Sequence, residues 1–154
     1  AVPAQQLIEA IWPLVNLQAR KLGVSVRTSV EPDLPPALCD RTMVEQVLLN
    51  LARNAMQAMD DPTITPRVLD IRVRRAVPKG HSGWLEFSVA DGGSGIPEEV
   101  AKKLFTPFFT TRTEGMGLGL SMCRTVVEQH GGYFGFAPNE PRGTVFTFTL
   151  PVKI

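Results

Sequence analysis

Apolar residues recur along the chain in either a helical or a strand-like period, and each change of period marks an element boundary. From residue 4 to 22, Leu7, Ile8, Ile11, Leu14, Val15 and Leu22 fall at helical spacing. Pro13 lies inside that pattern and predicts a kink or a late start, because proline removes an N–H and crowds the preceding turn. Residues 24–30 then alternate apolar and polar, as a strand with one buried face does. Pro32, Pro35 and Pro36 end that strand, and residues 37–39 read as a short edge strand.

The helical period returns from 41 to 59, with Asp40 placed to cap its start and Asp61-Pro62 to end it. Val44, Val47, Leu48, Leu51, Ala52, Ala55, Ala58 and Met59 share one broad face. Gln46, Asn50, Arg53, Asn54 and Gln57 hold the other. Asparagine suits a helix interior poorly, because its amide competes with the backbone. Two of them at i and i+4 are either a plain solvated face or a pair that offers carbonyls to a cation and N–H groups to phosphate.

Residues 67–77 and 83–90 read as strands, and the turn-rich stretch 78–83 between them predicts a hairpin. His81 in that turn reads as polar surface. A glycine-rich loop, 91–97, leads into a short helix over 97–104. Residues 105–115 combine Phe105, Phe108 and Phe109 with polar residues and glycine. They read as a lid closing on an apolar surface, or else as an irregular connection whose aromatics fill the core. In the helix over 117–130, Leu118, Met122, Cys123, Val126 and Val127 face inward, and Ser121, Arg124 and Glu128 face out. His130, just before the Gly131-Gly132 stop, reads as a packing or capping residue. Strands over 133–137 and 144–150 close the chain, the second strictly alternating. This order predicts a two-layer α/β sandwich: a mixed, mostly antiparallel sheet covered on one face by about three helices.

Composition narrows the function. The 154 residues fit a single domain spanning 1–154, with an ordinary 44% hydrophobic and 20% charged content. A net charge of +1 makes no electrostatic case for nucleic acid or a membrane surface. No apolar run reaches the roughly 20 residues of a membrane span. Cys39 and Cys123 show no CxxC or metal-ligand spacing, which fits a reduced, cytoplasmic setting. The chain begins with neither Met nor a tidy cap and is expected to be a piece of something larger.

The chemistry concentrates at DGGSG, residues 91–95. Asp91 ends an apolar strand and can accept a hydrogen bond from an exocyclic amine, while the bare backbone N–H groups of the glycines can approach phosphate. The second glycine cluster, GMGLGL at 115–120, makes the other half of such a site.

The Asn50/Asn54 helix, DGGSG, the phenylalanine segment, GMGLGL and Gly143-Thr144 occur in one fixed order. Together they resemble the ATP-binding catalytic domain of sensor histidine kinases, in the gyrase, chaperone, histidine kinase and mismatch-repair (GHKL) superfamily with its Bergerat-type fold. The form TPFFTTR-x-x-GMGLGL is most similar to nitrogen-regulation, oxygen-sensing and dicarboxylate-sensing kinases.

The resemblance implies ATP and Mg²⁺ as cofactors, with Asn50 and Asn54 catalytic and Asn54 a ligand of the Mg²⁺ that bridges the phosphates. It implies that Asp91 accepts from the adenine amine, with Gly93, Gly95 and Ile96 beside the nucleotide. Phe105, Phe108 and Phe109 would match the family's phenylalanine motif, and Phe105, Thr111 and Arg112 would bind the cofactor, as would Arg53 and Gln57. Gly115, Met116, Gly117, Leu118, Gly119 and Leu120 would hold phosphate at a helix start, and Thr144 would complete the site.

Two departures matter. Gln57 stands where many relatives carry a phosphate-touching Lys, leaving Arg53 or Arg112 to supply positive charge. Asn50 stands where hydrolytic members carry a water-activating Glu, which favours transfer to a protein acceptor over steady hydrolysis. Neither His81 nor His130 sits in the acceptor motif of such kinases. The resemblance therefore implies a phosphoacceptor histidine on a separate helical dimerisation domain, and a response regulator further along. The isolated domain is expected to be a monomer without direct membrane contact, whether or not the full sensor is anchored. The rival expectations are a conformational ATPase and an inert ATP-binding module.

Overall fold

The computed structural model describes residues 1–76, 83–93, 116–140 and 142–152. Among them are three helices, α1 (Ala4–Leu22), α2 (Arg41–Ala58) and α3 (Met116–Gln129). Five strands, β1 (Ser25–Val30), β2 (Val68–Ala76), β3 (Trp84–Ala90), β4 (Phe134–Pro138) and β5 (Thr144–Pro151), form one sheet in the order β1-β2-β3-β5-β4. β1 and β2 run parallel with α2 as their crossover, and the other pairs are antiparallel. The expected mixed sheet and two-layer architecture are therefore present.

Alternation decides which face the helices cover. Leu69, Ile71 and Val73 of β2 point the same way as Leu85, Phe87 and Val89 of β3 and Phe146, Phe148 and Leu150 of β5, and all are buried. Phe87 and Phe148 stack in register with ring centroids 4.9 Å apart. The opposite face carries polar residues, with Arg72 paired to Asp70 at 2.9 Å and Arg74 to Glu86 at 2.7 Å. Phe87 is fully buried, so Phe87→Ala should cost about 3–5 kcal/mol through lost transfer energy and a residual cavity. A urea melt checks this, and a cost below about 1 kcal/mol would mean that the stacked pair is not central to the core.

Three local expectations need correction. Of the kink or late start expected from Pro13, the late start is absent: α1 begins at Ala4 and runs through Pro13 to its left-handed C-cap at Gly23. Pro13 is tolerated because it lies exposed, where water reaches the carbonyl one turn back. Leu14 is 58% exposed, since α1 packs along the stripe Leu7, Ile8, Ile11, Val15 and Ala19 and Leu14 falls on its flank. Met122 is 53% exposed for the same reason on α3, where Leu120, Cys123 and Val127 make the buried stripe. Residues 37–39 form no strand: Ala37 makes single bridges to Val2 and Val152. The turn 78–82, His81 included, and the helix expected over 97–104 lie outside the described residues. No helix among the described residues is long and apolar enough to cross a membrane.

Candidate functional site

α2 is the backbone of the site. Asp40 caps it as expected, its Oδ1 accepting from the Met43 N–H at 3.1 Å. α1 packs on one side of α2, α3 on another, and β2 and β3 lie beneath it. Being enclosed on so many sides has a consequence that helical periodicity does not show. Asn54, expected on the polar face, is only 8% exposed and counts with the core of the helix. Asn50 and Gln57 are half-buried and Arg53 is exposed.

At the α3 end, Gly119 lies against Asn50: a Cβ on Gly119 would sit 3.9 Å from the Asn50 side chain. Cys123, one turn further along, has its Sγ 3.9 Å from the Val47 carbonyl. Burial pushes the Cys123 thiol up to about 12, against the opposing pull of its hydrogen bond with the Asn50 side chain. That thiol is protonated packing material and not a nucleophile.

The other end of α2 meets the Asp91 loop. A Cβ on Gly93 would lie 2.6 Å from the Ala58 carbonyl, so only glycine lets this loop rest on the last turn of the helix. Asp91 is 3% exposed. Its Oδ1 accepts from the backbone N–H of Gly93 at 2.8 Å and of Thr144 at 3.3 Å. Its own N–H donates to the Thr144 carbonyl at 3.0 Å, and its carbonyl accepts from Asn139 Nδ2 at 2.8 Å. Burial raises the Asp91 carboxyl above the ordinary carboxylate value, and the two backbone N–H groups only partly oppose it.

Gly143 completes the cluster. Its φ is +108°, and a Cβ there would collide with the Asp91 carbonyl. Gly143→Ala should destabilise the chain by about 1–3 kcal/mol, from backbone strain together with the clash. A thermal melt of the variant is the check, and unchanged stability would mean that the 138–143 turn does not need this close approach.

Residues 39–154 match the family described as histidine kinase-, DNA gyrase B-, and HSP90-like ATPase. The chain belongs to that family. This ATPase-family domain is 42% identical over 134 residues to the C4-dicarboxylate transport sensor protein DctS of Rhodobacter capsulatus, covering 87% of this chain and 20% of the relative. The chain therefore spans about a fifth of that protein's length. Among solved structures it is similar to the nucleotide-free catalytic domain of histidine kinase ThkA, with a TM-score of 0.80, 33% identity, and 96% and 91% of the two chains covered. It is also similar to full-length ShkA in complex with AMPPNP, with a TM-score of 0.80 and 27% identity over 98% of this chain and 30% of that one.

Within the ATPase domain, then, α2 joins two clusters. Asp91, Gly93 and Thr144 gather at its C-terminal end, and Asn50 and Gly119 meet nearer its middle, about 12 Å back along the helix. Leu120 is buried behind Gly119, and Met116, Gly117 and Leu118 form the first turn of α3. Gly95, Ile96, Phe105, Thr111, Arg112 and Gly115 lie outside the described residues.

Sequence reasoning missed two supports of the site. Asn139 is one, a turn residue whose bond to Asp91 spans 48 positions and leaves no local signal. Arg67 is the other, donating to the carbonyls of Leu22 at 2.6 Å, Asp61 at 3.0 Å and Ile64 at 3.3 Å, so it ties the loop after α2 to the end of α1. An arginine at a strand start carries no mark of that task.

Proposed function

We propose that this domain binds ATP with Mg²⁺ and directs the γ-phosphoryl group onto a histidine of a separate helical dimerisation domain, from which a response regulator is later served. One observation carries the base end of this reading. Asp91 is a buried carboxylate whose hydrogen bonds among the described residues all converge on Oδ1, so Oδ2 is the oxygen offered to an exocyclic amine. Adenine presents that amine, whereas guanine presents an acceptor in its place and would repel the carboxylate. The similarity to full-length ShkA, solved in complex with AMPPNP, supports nucleotide binding by this domain.

Mg²⁺ is held in such sites by one or two protein oxygens together with phosphate oxygens. Asn54, buried on α2, offers a side-chain oxygen of that kind. Asn54 Oδ1 would be the protein ligand, and the bound ion would neutralise charge between the phosphates. The backbone N–H groups at the start of α3 would donate to the phosphate end, with Asn50 across from Gly119.

In the transfer, a neutral acceptor imidazole attacks the γ-phosphorus through its unprotonated nitrogen. The bond to ADP breaks, and the other ring N–H gives up its proton. The domain contributes position and charge neutralisation, not a covalent intermediate. The side chain at 50 is an amide and cannot take a proton from water, which argues for transfer over hydrolysis and against the gyrase-type alternative.

The test combines this chain with a helical domain carrying the acceptor histidine, labelled ATP and Mg²⁺. Acid-labile label on the histidine with little phosphate release is the expected result. Rapid phosphate release by the chain alone would favour the conformational ATPase, and binding without label would favour the inert module.

A further inference from the structure

His130 was expected only to pack or cap, but its two nitrogens do something more specific. Nε2 accepts from the backbone N–H of Asp40 at 2.9 Å, across 90 positions of sequence. A nitrogen that accepts is unprotonated, so in the neutral ring Nδ1 carries the proton and donates to the Val126 carbonyl at 2.8 Å. Asp40 is the N-cap of α2, and His130 directly follows the last residue of α3.

Three contacts therefore line up along the α2–α3 pair. Asp40 meets His130, Val47 meets Cys123, and Asn50 meets Gly119. Positions rise along α2 as they fall along α3, so the helices run antiparallel. The Cys123 thiol makes weak sulfur bonds to the Val47 carbonyl and the Asn50 side chain, and a Cβ added at Gly119 would sit 3.9 Å from that side chain. His130 makes the nitrogen-to-nitrogen hydrogen bond at the far end of the pair, about 15 Å along α2 from Asn50.

We propose that His130 is a positioning residue: by clamping the end of α3 to the N-cap of α2, it sets where Gly119 and the start of α3 stand opposite Asn50 and Asn54. This rests on the reading of those groups as the phosphate end of a nucleotide site. A helix free to slide or roll by a fraction of a turn would carry the phosphate-facing N–H groups away from the asparagines.

Two variants separate the bonds. His130→Gln reaches the Asp40 N–H with its amide oxygen, whereas His130→Asn is too short and keeps only the bond within α3. In the nucleotide-free chain, the side-chain amide NMR signals of Asn50 and Asn54 should move in His130→Asn and stay near wild type in His130→Gln. ATP·Mg²⁺ affinity should fall about fivefold or more in His130→Asn and less than twofold in His130→Gln.

Unmoved amide signals in His130→Asn, or equal loss in both variants, would overturn the proposal. If His130→Asn does not fold, His130→Gln decides alone, and Asn50 and Asn54 amide signals displaced from wild type, or an affinity loss of about fivefold or more, would overturn it. Shifted amide signals in a chain that binds no ATP would leave the clamp standing and sink the nucleotide reading instead.

Discussion

Asp91→Asn is expected to weaken ATP binding about 10- to 100-fold while leaving the chain as stable as before or more so. The first effect is the loss of a charge-assisted hydrogen bond to the adenine amine, worth about 1.5–3 kcal/mol. The second follows from burial. Asp91 is 3% exposed, and its carboxyl sits above the ordinary value because desolvation outweighs the two backbone donors. A group with a raised folded pKa binds more protons folded than unfolded through the window between the two values. Stability contributed by the protonated form is thus complete below the unfolded value and is lost as pH rises through the folded one. Ionised Asp91 therefore costs the fold something at neutral pH, and a neutral amide avoids that cost while its Oδ1 still accepts from Gly93 and Thr144.

The variant should accordingly lack the decline in stability that wild type shows as pH rises through that window. Its amide can also turn a donor toward the base, so discrimination between ATP and GTP should shrink. Calorimetric binding and urea melts across pH are the measurements. Unchanged ATP affinity would remove Asp91 from the base-recognition role. A variant that loses both affinity and fold would make Asp91 a structural residue alone.

With the proposed role of Asn54 as Mg²⁺ ligand, Asn54→Ala is expected to abolish Mg²⁺-dependent phosphoryl transfer, a loss of at least about 100-fold, since the charge that the transition state needs would be misplaced. Read from the helix alone, this variant should be neutral to folding. The structure changes that expectation. Asn54 is 8% exposed between packed helices, so truncation should also cost about 1–3 kcal/mol. The two effects separate by titrating Mg²⁺ into the folded variant with ATP present. ATP binding without Mg²⁺ should stay near wild type, and the increment that Mg²⁺ adds in wild type should vanish. Persistence of that increment would mean that the metal is held elsewhere.

How much of this was legible before folding differs from element to element. Strict alternation over residues 144–150 and 84–90 specified which side chains point to the core, because a strand's period of two leaves no freedom once one face is apolar. The Asp40 cap was equally legible, since capping is a contact between residues three apart. So was the Asn50 and Asn54 pair on one helix, and so were the glycines of both clusters, one of which proves obligatory because Gly93 touches Ala58.

Periodicity failed wherever an answer depended on how many neighbours surround an element. Asn54 sits on the polar arc of α2 and is nevertheless buried, because α1, α3 and the sheet all press on that helix. Leu14 and Met122 sit near apolar arcs and are nevertheless exposed, because nothing among the described residues covers those flanks.

The sequence by itself determined the three described helices, the five strands, the one-sided sheet, the order of the asparagine and glycine motifs and the family. Each of these is written in spacings of a few residues or in the order of short motifs. Only the tertiary structure decided that Asn139, Gly143 and Thr144 converge on Asp91, and that His130 meets Asp40. Those contacts span 48 to 90 positions. No local period encodes such a contact, because it exists only once the sheet and helices have brought the two ends together.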